Sequence, residues 1–483
     1  MLSKARNGTG ANFTCPALYT KLRRSKEEVR VATENDLGLL TDLYQLTMAQ
    51  AYFQSRHTEA ATFSFFIRAY PINRGYFVSA GLNDVIEFLE HFSFDSQSID
   101  YLNSLKLFAD DFLDFLKSLR FTGEVWAIPE GRLFFKDEPV IEVTAPIIEA
   151  QIVETFIINQ INLQSLIATK AARCVHAARG RAVVDFSLRR THGIDAGMKV
   201  ARASYLAGVA GTSNLRAGRR YGIPVVGTMA HSFVSSHESE IDAFRSFVKS
   251  FPNNSILLID TYDTIAGARN AVQVGREMAA RGERLQGVRI DSGDLAPLAR
   301  EVRKIFDAAD MKDVKIIGSG GLDEFDLAEF SDANVPYDSY GVGTKMGVSG
   351  DAPWTDCAYK LVEYGERSVL KLSTGKISWP GRKQVFRRRN NDGQLEKDII
   401  GLREENMPGA ELLLVKVMES GKAIVPLPTL EDSRKTFLEE FAQLAPSTKA
   451  IRNPVHYPIE FSPRLQTLRE EVERHASRAS PRS

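Results

Sequence analysis

The stretch "GVRIDSGDLAPLAREVRKIF", residues 287–306, changes its period half-way. It opens as a short β-branched run, breaks into "DSGD", and continues with Leu295, Leu298, Val302 and Ile305 spaced by three and four residues. That spacing belongs to a helix with one apolar face, so the stretch reads as a strand, a polar turn and a covering helix. From about residue 183 the same succession recurs in "AVVDFSLRRTHG", "IPVVGTMAHS", "SILLIDTYDT", "VKIIGSGGLDE" and "YDSYGVGTK". After "SILLIDTYDT", Ile265, Ala268, Val272, Gly275 and Ala279 repeat the helical interval. Strands without polar alternation, each followed by an amphipathic helix, imply a parallel sheet covered by helices on its outer face. Five or six such units in succession predict an α/β barrel, whose site is assembled from the loops after the strand ends. Every polar break above falls there.

Outward from this core the pattern changes. Residues 34–165 open with the helix-like "TDLYQLTMAQAYF" and go on to the strand-like "GEVWAIPEG" and "EPVIEVTAP", with Pro and Gly punctuation, which predicts an α+β domain. The barrel is expected over 166–365. A smaller α+β region over 366–483 follows, with strands in "WPGRKQVFRRR" and "LLLVKVMESGKAIVP" and short helices at Phe437–Leu444 and Leu465–His475, packing on the other two parts. Residues 1–33 are basic and rich in small polar residues; they read as a frayed, flexible extension, or else as an organelle transit peptide, a reading that Glu27 and Glu28 interrupt.

The 483-residue chain carries 61 basic and 61 acidic side chains. This balance gives no electrostatic reason to expect a nucleic acid or an anionic membrane as partner, and a small molecule fits better. Cys15, Cys174 and Cys357 are far apart and form no CxxC pair, so neither a disulfide framework nor a zinc site is suggested, and a reducing, cytoplasmic compartment is expected. The most apolar segment, "IVETFIINQI" from residue 152, contains Glu154, Asn159 and Gln160 and falls short of the roughly 18 apolar residues a membrane span needs.

Two glycine-rich breaks, "GSGG" (318–321) and "GVGT" (341–344), stand on successive strand ends. Backbone without side chains lets several N–H groups converge on one anion, so paired turns on late barrel strands resemble a phosphate site, although glycine also serves tight turning alone. "LLIDTYD" and "RIDSGD" bring Asp260, Asp263, Asp291 and Asp294 to the same end of neighbouring strands. Such carboxylates bind a sugar diol, hold Mg2+ or cap the following helices, the last reading suiting Asp294 and one other. Arg189, Arg190 and Arg289 supply opposite charge, and the bidentate guanidinium fork implies an anionic ligand. With the aromatic Phe186 and the histidine His231 on the same rim, the set suits a phosphorylated ribose beside a flat anionic ring.

In "LLTDLYQLTMAQAYF", "DFSLRR", "GTMAHSF", "IDTYDT", "RIDSGDL", "GVGTKM" and "PGRKQVFR", taken in order, the chain resembles the nicotinate phosphoribosyltransferase family over nearly everything after residue 34. The resemblance implies an irregular, TIM-like α/β barrel with an α+β N-terminal domain, and a homodimer whose sites are completed across the interface. It implies that Phe186 and Tyr44 of the neighbouring chain sandwich the pyridine ring, and that Thr228 and Arg289 hold the nicotinate carboxylate. Arg189, Gly320, Gly321, Gly343 and Thr344 would bind the phosphates of phosphoribosyl pyrophosphate, and Asp260 and Asp291 its ribose or Mg2+. His231 matches the histidine that the family phosphorylates with ATP, a role suited to an imidazole that titrates near neutrality. His192 and His237 are left as rim or surface residues.

A nicotinamide-using relative carries an acidic residue where "AGTS" here has Ser213; its absence favours the acid as substrate, because a carboxylate there would repel nicotinate. A barrel aldolase or isomerase would also use the two glycine turns, but it needs a lysine or general base on a central strand, and the rim lysine, Lys345, lies in the phosphate turn. A ligand-sensing relative without catalysis should have lost part of the rim, which is complete.

Overall fold

The computed structural model describes residues 36–371 and 378–479; the extension at 1–33, with Cys15, lies outside the described residues. Five of the six expected runs form their strands, and the remaining strand of the sheet is the unforeseen Gly211–Thr212. Six strands, β1 (Ala182–Asp185), β2 (Gly211–Thr212), β3 (Ile256–Leu258), β4 (Gly287–Ile290), β5 (Lys315–Gly318) and β6 (Ser339–Val342), make one parallel sheet in the order β2-β1-β6-β5-β4-β3. Chain order therefore runs round a curled sheet whose last strand pairs with its first, an irregular α/β barrel left open between β2 and β3.

The opening is where one expectation fails. "IPVVGTMAHS" was expected as a strand, yet it contributes a single bridge between Val225 and Thr212. Pro224 has no N–H to donate into a ladder and only accepts, from Thr212 N at 3.0 Å. Beyond it the chain runs irregularly to a short helix at His231–Ser235.

Helices α1 (Ile194–Leu206), α2 (Thr264–Ala279), α3 (Leu295–Ala308) and α4 (Glu324–Asp332) cover the outer face. Val183, Leu257, Val288, Ile290, Ile316 and Val342 pack there with Val200, Ala268, Val272, Val302, Phe306 and Leu327 in one continuous core. Asp263 caps α2 by accepting from Ala266 N at 2.7 Å, and Asp323 and Asp326 form a reciprocal capping box on α4. Asp294, expected to cap α3, makes no side-chain cap bond; that helix starts without one and the carboxylate stays on the rim.

Strand alternation sends the other side chains into the barrel. The register Leu258↔Arg289, Arg289↔Ile317, Ile317↔Ser339 and Ser339↔Ala182 sets one ring of residues. Two residues further along each strand, nearer the C-terminal ends, the next ring on the same side is Asp260, Asp291, Ser319, Gly341 and Val184.

Beside the barrel stands a seven-stranded antiparallel sheet in the order Arg367–Ser368, Cys357–Tyr364, Ala60–Ile67, Ile141–Pro146, Glu124–Ala127, Val415–Glu419 and Lys422–Ala423. Segments from both sides of the barrel sequence thus share one sheet. A second sheet, Glu411–Leu412, Lys383–Arg389, Leu395–Leu402 and Ile459–Phe461, is tied to it by Lys383, whose N–H donates to Glu142 Oε2 at 3.0 Å and whose Nζ lies 2.9 Å from Glu142 Oε1, while the fully buried Arg387 donates to Asp398, to Glu440 and to Leu133 O. The 24-residue helix Glu154–Ala177 joins the N-terminal sheet to the barrel. It buries Lys170 and Arg173 against Glu324 at the start of α4, while Arg74 forks onto Asp351 with two bonds of 3.0 Å. Breaking a buried set of this kind leaves an uncompensated charge, so the set fixes α4 and the 343–351 loop against the rest of the molecule. Among the described residues no helix is long and apolar enough to cross a membrane.

Candidate active site

At the C-terminal end of β5, Gly320 and Gly321 take φ of +100° and +74°, in the region open to glycine. Gly320 has a second reason: a Cβ on it would lie 1.9 Å from the carbonyl oxygen of Asp291. The glycine turn after β5 is therefore pressed against the end of β4. On β6, a Cβ at Gly341 would come within 2.4 Å of the Phe186 ring, so the missing side chain makes the seat for that ring. Gly343 starts the short helix Thr344–Gly347, and Thr344 is exposed at its first position. Lys345 pairs with Asp323 at 3.1 Å and Asp326 at 3.2 Å, stitching the two glycine turns together.

Within the barrel the acid and arginine residues form one hydrogen-bonded centre. Arg289 Nη1 donates to Asp291 Oδ1 at 2.8 Å and to Ser319 Oγ at 3.0 Å, and Nη2 donates to Met229 O at 2.9 Å. Its Nε is buried and has no partner. Burial lowers the guanidinium pKa from its usual value, against the opposing pull of Asp291 and Asp260. Asp260 Oδ2 accepts from Asp291 N at 2.9 Å and Ser292 Oγ at 2.6 Å, while its Oδ1 is buried without a partner. His231 begins its short helix with Nδ1 3.1 Å from Thr261 Oγ1 and Nε2 3.9 Å from Asp291 Oδ2, its side chain 44% exposed.

Arg289 Nε and Asp260 Oδ1, on residues of adjacent strand ends, are both buried without a partner. Buried polar groups without partners are uncommon, and at a site they mark where a ligand supplies the partner. The carboxylates also bear on Mg2+. No group of three or more His, Cys, Asp or Glu among the described residues is arranged to hold a metal alone. Asp260 Oδ1 and Asp291 Oδ2 nevertheless fit Mg2+, which commonly takes one or two carboxylates and completes its shell with water and substrate phosphates.

Thr228 is half-buried, with its hydroxyl 3.4 Å from the Met229 carbonyl that also holds Arg289. Ser213 is tied by its N–H to Asp185 O at 2.9 Å. Arg189 is exposed in the turn after Phe186, close enough to depress the Arg289 pKa by like charge. Arg190 is exposed beside it, and His237 Nδ1 lies 2.8 Å from Phe233 O, away from the centre. Tyr44 stands apart, on the N-terminal helix Leu43–Gln54, 51% exposed and beside Glu154.

Sequence reading missed Ser319, Thr261, Ser292 and Asp185. Asp185 is buried, accepts from Ser187 N at 2.8 Å and Thr212 Oγ1 at 2.7 Å, and has its pKa raised by burial; it binds the Phe186 turn to the Ser213 turn. Ser319 was legible in principle, because strand alternation carried past β5 puts residue 319 inside the barrel beside Asp291.

Three family models match the chain: the nicotinate phosphoribosyltransferase N-terminal domain over residues 39–162, the nicotinate phosphoribosyltransferase family over 181–363 and the C-terminal domain over 409–469. A nicotinate phosphoribosyltransferase of Mycobacterium tuberculosis, pncB2, is 48% identical over 430 residues, which cover 89% of this chain and 92% of that one. The Bacillus subtilis nicotinate phosphoribosyltransferase is 36% identical, covering 89% and 94%. The crystal structure of human nicotinic acid phosphoribosyltransferase superposes with a TM-score of 0.82 at 30% identity, covering 90% of this chain and all of that chain. A nicotinate-nucleotide pyrophosphorylase from Pyrococcus furiosus follows with a TM-score of 0.71 at 25% identity, covering 86% and 98%.

Proposed function

This chain belongs to the nicotinate phosphoribosyltransferase family, and we propose that it transfers the phosphoribosyl group of 5-phosphoribosyl 1-diphosphate to the ring nitrogen of nicotinate, in the salvage route to NAD. Nicotinate mononucleotide and diphosphate are the products, and ATP is consumed to ADP and phosphate through His231.

The observation that carries this reading is the free edge of Arg289. A guanidinium has five N–H donors; the bonds to Asp291, Ser319 and Met229 use three, leaving Nε–H and one Nη2–H to receive a carboxylate. Thr228, on the same segment as Met229, adds a hydroxyl. Phe186 offers an aromatic face over Gly341 for the pyridine ring, and in a homodimer Tyr44 of the other subunit closes the opposite face. Ser213 at the ring edge brings no negative charge against the acid. The turns at Gly320, Gly321, Gly343 and Thr344, with Arg189, take the phosphates.

In the transfer the pyridine nitrogen forms its bond to the anomeric carbon as the bond to diphosphate breaks. Positive charge grows on the sugar ring and negative charge on the leaving oxygens. Asp260 and Asp291 orient the ribose hydroxyls and stabilise the first, and Arg189 and the turn amides the second. Mg2+ held by Asp260 and Asp291 would supply further neutralisation at the diphosphate. Nucleotide formation needs no ATP in principle, since diphosphate is already a leaving group, so ATP acts by changing the enzyme. The imidazole of His231 takes the γ-phosphoryl group, the bond to the β-phosphate oxygen breaks and ADP departs; water later removes the phosphate. The phosphohistidine adds about one to two negative charges beside Asp291, which would help to position the rim arginines, and Mg2+ when bound, round the diphosphate.

Nicotinate, nicotinamide and quinolinate, each assayed with and without ATP, test the substrate. Nicotinate mononucleotide should form and its rate should rise with ATP; absence of nicotinate turnover ends the proposal. His231→Ala should carry no acid-labile phosphate after incubation with ATP and should lose ATP stimulation while keeping part of the basal transfer. A variant still stimulated as strongly as the parent removes His231 from the coupling.

A further inference from the structure

Ser319 is 2% exposed and sits in the inner ring of the barrel between Asp291 and Gly341. Its hydroxyl donates to Asp291 Oδ1 at 2.6 Å and accepts from Arg289 Nη1 at 3.0 Å. The same Asp291 oxygen also accepts from Nη1 at 2.8 Å, so arginine, serine and aspartate close a three-membered ring of hydrogen bonds. At the other end of the guanidinium, Met229 O fixes Nη2 at 2.9 Å.

An arginine side chain has four rotatable bonds, and two anchors at different nitrogens are what fix the plane of its head. Without the serine, Nη1 would keep only Asp291, whose second oxygen lies toward His231 and whose side chain is 31% exposed. The guanidinium could then turn to engage both Asp291 oxygens through its outer edge, and the Nε–H edge would leave the lumen. The hydroxyl prevents this by occupying Nη1 on one side and saturating Oδ1 on the other. A methyl-sized apolar residue would fill the space equally well, so the volume at 319 does not by itself call for a hydroxyl.

We propose that Ser319 is a positioning residue for substrate specificity: it holds the Arg289 guanidinium in the plane that presents Nε–H and Nη2–H to the carboxylate of the bound ring. The assignment rests on the reading of Arg289 as the partner of that carboxylate. It predicts an effect confined to ligands that carry the carboxylate.

The test compares Ser319→Ala, Ser319→Thr and Arg289→Ala in the full-length enzyme. KM is measured separately for nicotinate and for phosphoribosyl pyrophosphate, with inhibition constants for benzoate and benzamide, ring analogues that cannot react. Ser319→Ala should raise the nicotinate KM and the benzoate constant together by about tenfold, as loss of a hydrogen bond to a charged group does, and leave the phosphoribosyl pyrophosphate KM and the benzamide constant within about twofold. Ser319→Thr keeps the hydroxyl that holds Nη1, so both constants should return most of the way. If Ser319→Ala shifts all four constants alike, Ser319 is merely part of the packing and the inference is overturned. If Ser319→Ala leaves nicotinate unaffected while Arg289→Ala raises its KM, the inference alone fails. If Arg289→Ala leaves the nicotinate KM unchanged, both the inference and the reading beneath it fall.

Discussion

Gly320 and Gly321 are neighbours in one turn, both at positive φ, yet replacing them with alanine should have unequal consequences. At Gly321 a Cβ meets nothing within 4 Å, so the cost is that of holding an L-residue at φ +74°, about 1–2 kcal/mol. At Gly320 the same backbone cost applies at φ +100°, and the Cβ falls 1.9 Å from Asp291 O. Ordinary carbon–oxygen contact is more than an ångström longer, so backbone must move, and overpacking of that kind adds about 1–3 kcal/mol. The expected losses are therefore about 2–5 kcal/mol for Gly320→Ala against 1–2 kcal/mol for Gly321→Ala. The displaced residue is Asp291, which holds Arg289 and faces His231, so Gly320→Ala should also lower kcat/KM by at least about a hundredfold, whereas Gly321→Ala should act mainly on the KM for phosphoribosyl pyrophosphate. Denaturant midpoints and steady-state kinetics on the two purified variants measure both effects. Equal destabilisation and equal activity loss would refute the reasoning, because only Gly320 abuts the catalytic strand.

Two further outcomes are expected. If Tyr44 serves the site of a second subunit, mixed dimers of a Tyr44→Ala chain and an Arg289→Ala chain should regain activity in the sites where both residues are intact; no recovery in verified mixed dimers places each site within one chain. Burial, reinforced by Asp398, raises the pKa of Glu138 well above the glutamate range. A carboxyl whose pKa is raised on folding favours the folded state below its ordinary value, and that contribution is lost as pH rises through the raised one. Glu138→Gln should flatten this decline as pH rises above the ordinary glutamate range, measured by chemical denaturation across pH, and parallel stability profiles for variant and parent would contradict it.

The barrel was legible because its signals are local. In "GVRIDSGDLAPLAREVRKIF" the apolar run, the break and the helical interval lie within twenty residues, and the strand Gly287–Ile290 and helix Leu295–Ala308 follow them closely. The polar breaks named the rim for the same reason, since parallel strands with covering helices leave only one kind of loop at the C-terminal ends. The exceptions were also local, but rested on finer contests. Pro224 denied "IPVVGTMAHS" its ladder, and Asp294 was left uncapping although Asp263, at the equivalent place, does cap.

The amino-acid sequence by itself determined the α/β class and the loops from which the rim is built, because hydrophobic period and turn chemistry act over one element at a time. Only the tertiary structure decided that Cys357–Tyr364 and Val415–Glu419 return to the sheet built on Ala60–Ile67, since antiparallel pairing across some 300 residues leaves no periodic trace in either partner. It alone decided which edge of Arg289 is free. That depends on Met229, Asp291 and Ser319, contributed by three separate segments whose side chains meet only through the register of the strands, so the orientation of a guanidinium is a property of the closed barrel and not of any segment within it.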